Sequence, residues 1–251
     1  MQIQEQEHHL LLIWLIITGL IIFGLLVSWD QGLITALVDG DQSRICLVIA
    51  LLYAIGTLHC ASRIFYLSNE LNASDRTAHL VREESRQGPL VLDGENLLVG
   101  DGVRVPESAI AEYLSDVIAG QHHVQTGEKA NLTEAFAEKL KGSHEAGWFI
   151  VDILLKLGLV GTIIGFILML GSVADTSSLD VNTMQKVLKQ MSSGMGTALF
   201  TTLAGLVGSM LLGLQYLLAD KSADELIRRS VMLAELQPKI SNSGYTAGTQ
   251  G

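Results

Sequence analysis

Four long runs of apolar residues dominate this chain and limit what it can become. They cover Leu10 to about Ser28, Ile45 to Leu67, Trp148 to Val173 and Met191 to Ala219. Each reaches the roughly 20 residues that an α-helix needs to cross the hydrocarbon core of a bilayer. A soluble domain breaks its apolar residues into stripes so that one face stays wet, and carries about 25% charged residues. Here only 17% are charged against 49% hydrophobic. Inside lipid every backbone amide needs an internal partner, so continuous helices are the expected form. The reading is an all-α, polytopic membrane protein with four transmembrane helices. Its last two spans are expected to extend into the cytoplasm, and a cytoplasmic insert lies between helices 2 and 3.

The segments between these runs set orientation and domain organisation. Residues 68–147 carry Arg76, Arg82, Arg86, Arg104, Lys129, Lys139 and Lys141, and residues 220–251 carry Lys221, Arg228, Arg229 and Lys239. The short connections hold Arg44 alone in one case, Lys186 and Lys189 in the other. Basic residues collect on the cytoplasmic side, which places both termini there, in a multi-pass protein of the bacterial inner membrane. Four segments follow: a hairpin over 1–67, the insert over 68–147, a core hairpin over 148–219, and a helix extension with a frayed tail over 220–251. The first run reads as a retained helix, because Met1 to His9 contains Glu5 and Glu7 but no Lys or Arg.

Within the insert, Pro106 marks the opening of a helix with Ile110, Tyr113, Leu114, Val117 and Ile118 on one face. Asn131 and Glu134 stand in capping-box positions and predict a separate helix over Asn131–Leu140. The turn signals Asp93-Gly94 and Gly100-Asp101-Gly102 predict a small hairpin or turn-rich loop between Pro89 and Val105. Val181, Met184, Val187, Leu188 and Met191 predict a short amphipathic helix on the membrane surface. Leu226, Ile227, Val231 and Ala234 continue the last span as a helical stripe.

The net charge of −10 argues against nucleic acid or anionic lipid as a partner sought by charge. Cys46 and Cys60 are too far apart along one helix to bridge. Adjacent histidines, His8-His9 and His122-His123, point apart on a helix and read as solvated surface, so no metal is expected. The cluster Arg82, Glu83, Glu84 and Arg86 reads as a solvated helix face. No nucleophile triad, phosphate loop or dinucleotide fingerprint occurs, so the chain is not read as an enzyme.

Chemistry is concentrated in small and weakly polar residues of spans three and four. Gly158, Thr162, Gly165 and Met169 share one face. Ala198, Thr202, Gly205 and Ser209 share another, with Gly194 and Gly213 at its edges. Gly158, Gly165, Ala198, Gly205 and Ser209 suit close helix packing. Thr162 and Thr202, at similar depth, suit either back-bonding to their own helices or the lining of a polar passage. Asp152 and Lys156, spaced i, i+4, suit a self-neutralised pair at the membrane interface, or alternatively an ion exit or a partner contact.

The run Gly158-Leu159-Val160-Gly161-Thr162-Ile163-Ile164-Gly165 resembles the G-L-L-G-T-V-x-G segment of the MotA/TolQ/ExbB family of ion-driven motor subunits. Ala198-Leu199-Phe200-Thr201-Thr202-Leu203-Ala204-Gly205-Leu206-Val207 resembles its A-L-x-x-T-x-x-G-L-V segment. The resemblance covers Trp148 to Ala219. It implies a homo-oligomeric, pentameric ring around a dimer of a single-span MotB/TolR/ExbD-like partner whose membrane aspartate faces Thr162 and Thr202. It implies a proton channel or stator function, with no cofactor beyond the transported H+ or Na+, and permits a cytoplasmic effector. Four spans and the insert are MotA-like, although Leu155 stands where the motif of MotA-type subunits has proline. Independently of the family, a span core without a free carboxylate argues that another polypeptide supplies one. The alternatives are a structural membrane scaffold that conducts nothing, and a lone transporter, against which no broken helix or inverted repeat is visible.

Overall fold

The computed structural model describes residues 9–84, 90–93, 96–99, 103–106, 108–120, 126–174 and 181–235. They form α1 (His9–Asp30), α2 (Leu33–Gly40), α3 (Ile45–Glu84), β1 (Leu90–Asp93), β2 (Asn96–Val99), β3 (Val103–Arg104), α4 (Ala109–Gly120), α5 (Thr126–Ala174) and α6 (Val181–Glu235). Four helices are long and apolar enough to cross a membrane. The fold is all-α apart from one small antiparallel sheet of order β1-β2-β3, in which Leu90 pairs with Val99 and Asp93 with Asn96. This sheet lies where the turn signals predicted a hairpin.

Three helices are longer than the sequence pattern indicated. The separate helix expected over Asn131–Leu140 is part of α5, which begins at Thr126, so Asn131 and Glu134 are interior positions and not a cap. The surface helix expected near Val181–Met191 is the first part of α6. The helix that contains the second span, α3, runs on past Leu67 to Glu84. The physical reason is common to all three: none of these stretches contains proline, and glycines such as Gly142 and Gly147 weaken a helix without breaking its hydrogen-bond ladder. Arg86, His8, His122, His123 and residues 236–251 lie outside the described residues.

The chain divides into two compact units. One comprises residues 65–142 and 220–235 among those described. Its core is the apolar face of α4 (Ile110, Tyr113, Leu114, Val117 and Ile118, all buried), clustered with Leu67 of α3, Phe136 and Leu140 of α5, and Leu226 of α6. Tyr113 and Phe136 stack with ring centres 4.7 Å apart. Pro106 precedes α4, but the cap is Ser108, whose hydroxyl accepts the Ala111 amide at 3.2 Å. The Glu70 carboxylate accepts the Ala109 amide at 2.9 Å, where a helix N-terminus favours negative charge. Arg229 joins Asp75 of α3 to Glu225 of its own helix at 2.7 and 2.8 Å. Asp116, on α4, has its carboxyl pushed up by burial and by neighbouring Glu112, with Lys139 opposing.

The other unit comprises residues 11–64 and 143–219 and contains the apolar parts of the four long helices. α1 is apolar on all sides, and almost all its large side chains are exposed, as befits a helix surrounded by lipid. The α2–α3 turn is fastened by Asp41, which is buried and accepts the amides of Ser43 and Cys46 at 3.0 and 2.7 Å. Burial works to raise its pKa, but the hydrogen bonds from Ser43 and Cys46 outweigh it and hold the carboxyl below its ordinary value. Thr197 of α6 ties this turn down by donating to the Gly40 carbonyl at 2.9 Å and accepting the Gln42 amide at 3.2 Å.

Candidate functional site: the α5–α6 seam

Glycine decides how close α5 and α6 come. A Cβ placed on Gly205 would lie 2.7 Å from the Leu154 carbonyl oxygen and 2.8 Å from the Gly158 Cα. One on Gly165 would lie 2.5 Å from the Ala198 amide nitrogen, and one on Gly194 2.7 Å from the Met169 nitrogen. These contacts are between backbones, so any larger residue forces the helices apart. They run antiparallel over roughly three turns, Gly158 beside Gly205 and Gly165 beside Ala198. Such approach replaces the hydrophobic drive that is missing between helices in lipid.

At one edge of this seam the two threonines meet. The Thr162 and Thr202 hydroxyls are hydrogen-bonded to each other, and each lies 3.3 Å from the Gly158 carbonyl oxygen. Thr202 also donates to its own helix at the Ala198 carbonyl, 3.0 Å away. Both side chains are half-buried. Beside them Leu159, Phe166, Leu199 and Leu206 are exposed. This edge is therefore a pair of neutral hydroxyls set in an apolar surface.

The other residues singled out in the sequence are also placed. Gly158, Gly165, Ala198 and Gly205 lie in the seam. Ser209 is buried and bonds the Leu206 carbonyl at 3.0 Å. Asp152 and Lys156 pair with each other, with side chains 50% and 68% exposed. Gly194, expected at an edge of the small-residue face, takes part in the backbone contact at one end of the seam, against Met169 and Gly165. Gly213 leaves ordinary contact distances to Trp148 and Val151.

Several residues escaped the sequence reading. Gly161 accommodates the side chain of Thr201, which is fully buried and bonds the Thr197 carbonyl at 2.8 Å. Tyr216 is also fully buried; it occupies the space left by Gly147 on α5, and its hydroxyl meets Gly56 O of α3 at 3.1 Å and His59 Nδ1 at 2.7 Å. Gln215 reaches the Tyr53 hydroxyl at 3.3 Å. Gly158-x-x-Gly161 was a usable signal. Tyr216 was not, because its partners come from two other helices. Cys46 and Cys60 are buried thiols outside any disulfide, and among the described residues no group of His, Cys, Asp or Glu side chains is gathered for a metal ion.

Two membrane-length helices that pack through glycine, with paired hydroxyls at the edge, make a hairpin suited to close association in lipid. Residues 113–232, from Tyr113 in α4 to Met232 in α6, match the model of the MotA/TolQ/ExbB proton channel family. The match includes the whole seam. No match was found among curated proteins or among solved structures. The family is one of channels rather than an enzyme class.

Proposed function

We propose that the chain is the ring-forming subunit of an ion-driven motor in the bacterial inner membrane, with both termini cytoplasmic. Several copies, five by analogy with the family, surround a dimer of a single-span MotB/TolR/ExbD-like partner. The partner's membrane aspartate moves past Thr162 and Thr202, loaded with H+ or Na+. Neutralising that acid lowers its cost beside the apolar surface on either side of the hydroxyls. Ring and partner then turn relative to one another. A membrane potential supplies about 2.3 kcal/mol per elementary charge per 100 mV.

The observation that supports this reading most is the hydroxyl pair at the seam's edge. It offers oxygens to a passing cation but no charge to hold it, so the acid has to come from another chain. A scaffold that conducts nothing is the second reading, supported by the bonds of both threonines to carbonyls in the seam. The intact complex, isolated from its native membranes and reconstituted in vesicles, separates the two. Under an imposed H+ or Na+ gradient the wild type should conduct, and Thr162→Val with Thr202→Val should abolish conduction without changing assembly. No flux in the wild-type complex would leave the scaffold standing, and undiminished flux in the double variant would take the two threonines out of the ion path.

A further inference from the structure

On α5, Trp148, Asp152, Leu155, Leu159, Thr162 and Phe166 alternate by four and three residues, which aligns them in one stripe along the helix. All are exposed except Thr162, which is half-buried where it meets Thr202. Asp152 thus shares its side of the helix with the threonine pair, about 15 Å away along the axis at 1.5 Å per residue. It is also deep. Counted from His144, where the apolar span begins, Asp152 and Lys156 lie about 12 and 18 Å along the helix. The chain does not cover them: both side chains of the pair stay at least half exposed. Beside the stripe, a Cβ on Gly213 of α6 would meet Trp148 and Val151 at ordinary contact distances of 3.8 and 3.7 Å.

Charges this far inside lipid are costly and are found facing protein or water. Lys156 partly neutralises Asp152, but a half-exposed ion pair still needs a polar surrounding. The stripe offers one, since Thr162 on the same side is already read as facing the ion route. Between the two levels stand Leu155 and Leu159, an apolar interval that separates two polar stations.

We propose that Asp152 is a second cation-binding station, for H+ or Na+, on the same track as Thr162 and Thr202, with Lys156 as its positioning residue. This rests on the ion-motor reading above and adds a site to it. The i, i+4 pairing draws the carboxylate along the helix and keeps it from closing over the track. A cation that has passed the threonines and the leucine interval meets a carboxylate on which it can take the place of the Lys156 ammonium, which is released to the surrounding polar space.

The test uses the intact complex from native membranes in vesicles, with pH-sensitive and sodium-sensitive dyes and with subunit mass measured for each variant. Asp152→Asn should lower flux tenfold or more, Asp152→Glu should retain most of it, and the reversed pair Asp152→Lys with Lys156→Asp should stay inactive. Lys156→Gln should alter the pH or sodium dependence of flux more than its maximum. If Asp152→Asn fails to assemble, Asp152→Cys treated with a negatively charged thiol reagent should regain flux that a positively charged reagent does not restore. Wild-type flux in Asp152→Asn with Lys156→Gln, or in the reversed pair, overturns the station and leaves a depth-fixing ion pair. That result is distinct from failure of the motor reading, which shows as no flux in the wild-type complex under an imposed gradient.

Discussion

The hydroxyl of Thr202 on α6 is hydrogen-bonded to the hydroxyl of Thr162 on α5, and the two share the Gly158 carbonyl. Neither threonine needs water to be satisfied, and neither is sealed inside the protein. The arrangement keeps a polar spot stable in an apolar surface.

It follows that stability and activity should separate at this pair. Interhelical hydrogen bonds in membranes contribute about 0.6 kcal/mol on average. Thr162→Val should therefore cost about that much in unfolding measurements in bicelles, because Thr202 retains its bond to Ala198. Flux through the reconstituted complex should fall far more than so small a loss explains. A large loss of stability with proportionate loss of flux would assign the pair a packing role.

The seam predicts a graded series of glycine substitutions. Gly205→Ala and Gly165→Ala each place a methyl against backbone and should cost about 1–3 kcal/mol, read as loss of thermal stability and of assembled complex. Gly208→Ala and Gly213→Ala meet only side chains, none nearer than 3.7 Å, and should be nearly neutral. Equal effects at all four positions would mean that α5 and α6 do not touch through their backbones.

Tyr216 and Gly147 should behave as one unit. A Cβ on Gly147 would lie 2.0 Å from the Tyr216 ring, so Gly147→Ala should be strongly destabilising while Tyr216 is present. In a double-mutant cycle with Tyr216→Leu the methyl gains space, and the combined cost should be smaller than the sum by about 0.5–3 kcal/mol, as for residues in contact. Additive costs would contradict the packing.

The turn between α2 and α3 predicts a pH dependence. Asp41 has a folded pKa below its ordinary value, so the folded chain binds that proton less readily than the unfolded chain. Its contribution is complete above the ordinary carboxylate range and is lost as pH falls through the depressed folded value. Unfolding of the wild type should become easier in acid, and Asp41→Asn should flatten that part of the profile. Asp41→Ala should cost about 1 kcal/mol at neutral pH, the usual loss when a helix cap is removed.

Much of this was legible before any coordinates. Runs of apolar residues fix spans because lipid leaves the backbone no alternative to a helix, and the helical spacing of Ile110, Tyr113, Leu114, Val117 and Ile118 marked the buried face of α4 correctly. Gly158, Gly165, Ala198 and Gly205 were found because small residues at helical spacing have few other uses. Helix ends were harder. Asn131 and Glu134 look like a start signal, yet a cap acts only where the ladder stops, and nothing in the residues before Asn131 stops it. The packing of Tyr216 against Gly147 and Gly56 depends on a three-helix meeting that no local pattern encodes.

The central claim concerns what faces Thr162 and Thr202, and a cryo-EM map of the intact complex in native lipid tests it most directly. The account predicts a helix of another polypeptide beside the seam, with a carboxylate within about 5 Å of the two hydroxyls, the reach of a direct or water-bridged contact. Acyl-chain density against the threonine pair in every copy, with no second polypeptide along that edge, would contradict it.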